Sequence, residues 1–282
     1  AASDVYKRQI LQFTYPESDS SFILLDMNHT LWQSCPWSNL RVENDSTLVG
    51  YKLVKGWGPE RHVYFTAVFS KPFRDFGIMQ DTIPVKYNTN RFRSSLEAWG
   101  KDLRFWMRFP TRQGEVVTVK TAVSAVSSDG AKLNMQELEG KTFASLKAEG
   151  EKLWEGQLSK FKIEATPEQR ETFYTSVYHA FLHPFIFQDA DGKFRELDKN
   201  IGQAEGFTNY TVFSLWDTYR ALHPLFNLVQ RDINADIVTS MLAHYDKSVE
   251  HMLPVWSFYG NETWCMICLL YTSDAADDTP CV

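Results

Sequence analysis

Residues 213–225, Phe-Ser-Leu-Trp-Asp-Thr-Tyr-Arg-Ala-Leu-His-Pro-Leu, set an aromatic ring, a carboxylate and a guanidinium within five positions. On a helix Asp217 and Arg220 stand three apart and share a face, while Trp216 and Tyr219 share the adjoining one. Bidentate polar groups grip vicinal hydroxyls, and a flat apolar ring covers the C–H face of a pyranose, so the set suits a sugar. The same spacing also fits a helix end with an ion pair and a packed tryptophan. Asn261-Glu262 forms a second group, after a Pro-Val-Trp turn and before an apolar run. Cleaving a glycosidic bond takes one carboxylic acid to protonate the departing oxygen and a carboxylate opposite it to activate water or attack. Glu262 and Asp217 are available for such a pairing, although a binding or orienting role is the preferred reading of Glu262.

Other spacings carry less. His179 and His183 lie four apart, as metal ligands can, but lack the glutamate of the protease pattern and sit among aromatic residues, which favours a supporting role. Asp189-Ala190-Asp191-Gly192 has the acid and glycine content of a calcium loop without the rest of its ligand pattern. No phosphate-binding glycine loop, nucleophile elbow or Cys-His pairing stands out.

The elements that must position these groups fall into two kinds. Before about residue 126, short runs rich in β-branched and aromatic residues, 22–25, 48–54, 62–69 and 116–123, are separated by turn signals such as Gly56-Trp57-Gly58-Pro59 and Lys71-Pro72. Strands without long intervening helices predict an antiparallel β-sandwich, here incomplete. From 143 to about 165 the period becomes helical, with Leu146, Leu153 or Trp154, and Leu158, and predicts a linker helix. Thr166-Pro167-Glu168-Gln169 then reads as a capping box with proline at the first helical position. A helix is expected over about 214–230, kinked at Pro224. Another, capped by Asp232, should turn Ile233, Ile237, Met241 and Tyr245 to one side. The fold class expected is therefore mixed, β then α.

Composition narrows the function classes. The chain has 282 residues, 23% of them charged, and a net charge of -6, a balance that does not invite nucleic acid. Aromatic residues reach 15%, with nine Trp and twelve Tyr, more rings than a core requires. No apolar run approaches the length of a membrane span. Asn28, Asn44, Asn209 and Asn261 open glycosylation sequons, a pattern common by chance.

Both ends call for exclusion before fold reasoning. Codons can be chosen for Ala1-Ala2-Ser3-Asp4-Val5-Tyr6-Lys7-Arg8-Gln9 whose complementary strand encodes Cys-Leu-Leu-Tyr-Thr-Ser-Asp-Ala, which is residues 268–275. Residues 1–9 and 268–282 are therefore expected to be translated sequencing-adapter scars around an internal piece of a longer gene. The expected domains are 10–142 for the partial sandwich, 143–165 for the linker and 166–267 for a truncated helical domain. Without the second scar, Cys35 and Cys265 remain, too far apart to suggest a disulfide framework or zinc site.

The block Trp216-Asp217-Thr218-Tyr219-Arg220, followed by His223-Pro224-Leu225, Leu253-Pro254-Val255-Trp256 and Asn261-Glu262-Thr263 with Met266, resembles glycoside hydrolase family 92. Gly56-Trp57, Val63-Tyr64-Phe65, Phe69-Ser70-Lys71-Pro72-Phe73, Phe173-Tyr174 and Tyr178-His179-Ala180 agree with it. The resemblance implies a β-sandwich followed by the first helices of an (α/α)6 barrel, with the site between them. It implies an exo-acting α-mannosidase, often for α-1,2 links, that inverts the anomeric centre and depends on calcium. Trp216, Asp217 and Arg220 would contact the terminal mannose of a glycan, and Asn261 and Glu262 would line the site. The general acid and base would lie beyond Ile267, with calcium ligands unassigned and Glu262 a lesser catalytic candidate. A secreted, periplasmic or cell-surface location follows for the parent protein, and the piece alone is expected to be inactive. A non-catalytic glycan-binding or structural module, and a glycosidase or phosphorylase of other specificity on the same architecture, are the alternatives.

Overall fold

The computed structural model describes residues 2–3, 7–73, 75–84, 97–248 and 251–265. Two compact units divide the chain, Ala1–Gly150 and Glu151–Val282. Among the described residues no helix is long and apolar enough to cross a membrane.

The first unit holds β1 (Ala2–Ser3), β2 (Arg8–Tyr15), β3 (Ser18–Asp26), β4 (Ser34–Val42), β5 (Thr47–Lys55), β6 (Arg61–Phe69), β7 (Asp75–Gln80), β8 (Ile83–Pro84), β9 (Glu97–Gly100), β10 (Leu103–Thr111) and β11 (Glu115–Ser124). Among the described residues they form a seven-stranded sheet, in the order β1-β2-β11-β6-β5-β4-β9, and a four-stranded sheet, β3-β10-β7-β8. Neighbouring strands run antiparallel. Strand β10 shows why the sheets face each other: Leu103, Phe105, Met107 and Phe109 are all buried, while the residues between them are not. Period-two alternation sends every second side chain to one face. Those residues meet Leu40, Val42, Leu48, Phe69, Val117 and Val119 of the other sheet in one core. All four expected strand runs fall inside observed strands, and both expected turns lie between strands.

Helix α1 (Ser128–Gln136) follows, with the Ser127 hydroxyl accepting from the Gly130 amide. Helix α2 (Phe143–Leu158) accounts for the expected linker helix as far as Leu158, residues 159–165 being non-helical, and its Leu146 packs with Ile10 and Leu138. The second unit continues with α3 (Pro167–Ala180). Its capping box is present as read: the Gln169 amide donates to Thr166 Oγ1, and the Thr166 amide to Gln169 Oε1. Two small antiparallel sheets come next, β12 (Phe185–Ile186) with β15 (Tyr210–Thr211) and, between them in the chain, the hairpin of β13 (Lys193–Arg195) with β14 (Ile201–Gln203).

The helix expected over 214–230 is two helices, α4 (Leu215–Thr218) and α5 (Leu222–Val229). Pro224 has no N–H to give the Arg220 carbonyl, so the helix parts one turn before the proline instead of bending at it. Helix α6 (Arg231–Lys247) begins one residue before Asp232, which lies in its first turn, and the cap position belongs to Gln230. Ile237 is fully buried and Ile233 and Met241 pack beside it, whereas Tyr245 is exposed.

Gly50 tests the sandwich. A Cβ there would stand 2.4 Å from the Phe65 ring and 2.6 Å from the Asn39 carbonyl oxygen. Gly50→Ala should therefore lower stability by about 1–3 kcal/mol through overpacking. Urea unfolding followed by circular dichroism would show it, and an unchanged midpoint would refute this account of the β4, β5 and β6 packing.

Candidate functional site

Helix α4 has four residues, too few to hold itself in water. Neighbours fix it from both sides. Phe213 before it is 1% exposed and shares a core with Tyr210, Phe226 and Ile237, against which Leu222 after it also packs. The Ser214 carbonyl accepts from the Asp217 and Thr218 amides and from the Thr218 hydroxyl.

On that turn the three sequence-predicted groups remain open to solvent, Trp216 in part and Asp217 and Arg220 more fully. Trp216 and Tyr219 place their ring centroids 6.1 Å apart, and the Arg220 guanidinium stands 5.2 Å from the Tyr219 centroid. Arg220 Nε donates to the Tyr219 phenol oxygen at 2.5 Å. Asp217 instead accepts from the Ser214 hydroxyl. The result is a ladder of ring, ring and guanidinium beside a carboxylate held by serine, rather than an Asp217–Arg220 ion pair. Such a ladder offers a flat apolar surface with a charged donor at its edge.

Asn261 and Glu262 sit in a different setting. Asn261 is 2% exposed; its Oδ1 accepts from Lys199 Nζ at 2.6 Å and its Nδ2 donates to the Phe258 and Tyr259 carbonyls. Glu262 accepts three backbone amides at 2.9 Å each, Val255 at Oε2 and Trp256 and Trp264 at Oε1. Both residues therefore shape the 254–264 loop. That loop is tied to the turn at 214–220 through Thr211, whose hydroxyl accepts the Tyr259 amide at 3.0 Å three residues before Ser214. Neither Ser214 nor Thr211 carried a sequence signal, because their partners are fixed by the fold. Met266 and the stretch beyond it lie outside the described residues.

Among the described residues no three His, Cys, Asp or Glu side chains converge as metal ligands would. In the 189–192 turn the Asp191 carboxylate is engaged by Lys193 at 2.8 Å. His183 is exposed as a whole residue, though partial desolvation of its ring lowers its pKa, and His179 stacks near Tyr178.

Behind Phe213 lies a histidine that sequence reading missed. His244, on α6, is 2% exposed and meets the Phe213 ring edge-on at 5.8 Å. Neither ring nitrogen has a hydrogen-bond partner, and burial pulls its pKa down to about 4. Its neighbour in the core, Tyr210, is pushed up to about 12 by burial and by the Asp236 carboxylate.

Comparison with known proteins now adds to this geometry. A model of the glycosyl hydrolase family 92 N-terminal domain matches residues 8–124, and one of that family's catalytic domain matches residues 130–277. The chain is 70% identical over 92% of its length to the family GH92 alpha-mannosidase BT3965 from Bacteroides thetaiotaomicron, solved in complex with mannoimidazole, with a TM-score of 0.89. That match covers 34% of the solved chain. The inverting mannosidase BT2199 from Bacteroides thetaiotaomicron VPI-5482 matches 97% of this chain and 37% of its own at 21% identity and a TM-score of 0.78, which is a likeness of fold. A putative kojibiose phosphorylase from human microbiome, at 13% identity and a TM-score of 0.52, covers 91% of this chain and 34% of its own, again in fold alone. No curated protein matches. The chain thus spans about a third of the length of these solved relatives.

Two outcomes follow from the site's geometry. Unfolded histidine protonates near 6.5 while folded His244 resists until about 4. Stability should be full above pH 6.5 and fall as pH drops toward 4, by roughly 3 kcal/mol from this residue. His244→Leu should flatten that fall in urea midpoints measured across the interval, and an unchanged slope would contradict it. Glu262→Ala leaves three amides without their acceptor and should cost on the order of 2–4 kcal/mol. Limited proteolysis should then cut within 254–264 far faster than in the unaltered chain.

Proposed function

Because the chain belongs to glycosyl hydrolase family 92, we propose that it is part of a calcium-dependent exo-α-mannosidase that removes terminal α-mannosyl residues, α-1,2-linked ones foremost, from glycans with inversion. The observation that carries this reading is the 70% identity over 92% of the chain to an alpha-mannosidase solved with mannoimidazole. The ladder of Trp216, Tyr219 and Arg220 with Asp217 beside it supports it chemically. Trp216 would cover the apolar face of a terminal mannose, and Asp217 and Arg220 would take its vicinal hydroxyls.

Asn261 and Glu262 would act by shape. A carboxylate has about four acceptor positions, and Glu262 spends three on amides, so it sets the loop's course rather than carrying a proton to the leaving group. The acid and base are then assigned to barrel segments that follow these residues in the relatives. The same holds for calcium. Among the described residues no three His, Cys, Asp or Glu side chains converge, and the oxygens of Asp191, Asp217 and Glu262 already face a lysine, a serine and three amides, so these residues do not fit the ion unaided. A secreted, periplasmic or surface setting suits an enzyme for polymeric glycans.

A chain with the sugar grip but without the acid and base should be inert. Residues 10–267 alone should show no turnover of an aryl α-mannoside with calcium. Substituting them for the corresponding third of BT3965 should restore turnover, and Asp217→Ala in that hybrid should lower kcat/KM by about a hundredfold or more, as loss of a charged hydrogen bond to the sugar implies. Turnover by the piece alone, or a folded hybrid indifferent to Asp217→Ala, would count against the proposal.

A further inference from the structure

The outward face of the four-stranded sheet repeats the chemistry of a sugar grip on different residues. Because β10 alternates, Arg104, Trp106 and Arg108 point away from the core that takes Phe105 and Met107. Cross-strand register sets three rows: Asp26, Arg104 and Met79, then Leu24, Trp106 and Gly77, then Phe22, Arg108 and Asp75. A Cβ on Gly77 would lie 3.0–3.1 Å from three atoms of the Trp106 indole. The half-buried indole therefore packs closely against the strand backbone at Gly77. Phe22 is 63% and Leu24 53% exposed beside it.

Charged pairs flank this apolar centre. Arg108 stands 6.0 Å from the Trp106 centroid and donates Nε to Asp75 Oδ2 at 2.7 Å. On the other side Arg104 Nε donates to Asp26 Oδ2 at 3.2 Å. An open hollow of about 490 Å³ lies among Ser20, Phe22, Trp106 and Arg108.

We propose that this face is a second carbohydrate platform, on which one pyranose stacks on Trp106 and adjoining sugars reach Arg108 with Asp75 on one side and Arg104 with Asp26 on the other. From residue 104 to 108 the strand spans about 13 Å, longer than one sugar ring, so the ligand is an oligosaccharide. A dry protein partner would have to strip two ion pairs of water, which is costly, whereas hydroxyls replace that water hydrogen bond for hydrogen bond. The choice of a mannosyl ligand rests on the function proposed above. The platform itself uses no residue of the 214–220 turn.

Titration calorimetry of the full 282-residue chain with α-1,2-mannotriose tests it. Saturable binding is expected. Trp106→Ala and Arg108→Ala should weaken it about tenfold or more, and by the same factor when each is made in an Asp217→Ala background, where the 214–220 turn contributes nothing. Arg108→Lys keeps the charge and loses the forked geometry, so it should weaken binding too and covers the case in which Trp106→Ala fails to fold. Absence of saturable binding would overturn the platform. So would binding that only Asp217→Ala removes, an outcome that leaves the mannosidase reading intact. Self-association relieved by Trp106→Ala would overturn it as well, marking the face as a contact between copies. Platform binding by a chain whose BT3965 hybrid is inactive would separate the two readings the other way.

Discussion

A single turn of helix cannot persist unless something else holds it, and the residues best suited to meet a sugar sit on such a turn. Nucleating a helix fixes several dihedrals for one hydrogen bond, so α4 exists because Phe213 and Leu222 are fastened on either side of it. Both belong to the cluster around Phe226 and Ile237. The break before α5 is part of the same device. With no N–H at Pro224, the chain is released at Arg220, and the guanidinium turns onto the Tyr219 ring instead of continuing a helix face. Apolar burial thus supplies the rigidity, and the polar groups are left free of that task.

Among the described residues the second unit carries most of one cost. Asn209 Oδ1, His223 Nε2, both His244 nitrogens and Ser257 Oγ are buried without a partner, each a desolvation penalty of about 1–3 kcal/mol. They surround the segments that hold the α4 turn: Asn209 precedes β15, His244 touches Phe213, and Ser257 pairs with Glu262 in a β-bridge. In the sandwich the inner faces of both sheets are apolar almost throughout. Local stability should follow that difference, with the sandwich the firmer of the two.

What could be read in advance followed from local rules. Runs rich in β-branched and aromatic residues marked β3, β5, β6 and β11, and a capping box marked the start of α3, because both signals act within a few residues. Strand β10 went unnamed although its alternation is the most regular in the chain, since Arg104, Trp106 and Arg108 break up any apolar run. Helix α1 was not anticipated within the expected 10–142 sandwich domain, Asp129 and Gly130 in its first turn being poor helix formers. Asp232 looked like a cap, but Gln230 already accepts the first helical bond from Asn234. For the site, the types and spacing at 216–220 were legible, while the direction of each side chain was not. Asp217 and Arg220 share a helix face in projection, yet one turns to Ser214 and the other to Tyr219.

The carboxylates bear on how labour is divided within the parent fold. Catalysis of glycoside hydrolysis needs two carboxyl groups whose oxygens are free at the moment of reaction. In this chain Glu262 faces three amides, Asp191 a lysine and Asp217 a serine hydroxyl. Of these, only the contact to Ser214 is a neutral, exposed hydroxyl that a sugar hydroxyl could replace at little cost. Asp217 is therefore suited to exchange partners when a ligand arrives, whereas Glu262 would have to abandon a loop to do so. Among the three, then, only Asp217 combines an exposed position with a partner that a ligand could displace, which is what the sugar-orienting role proposed for it requires.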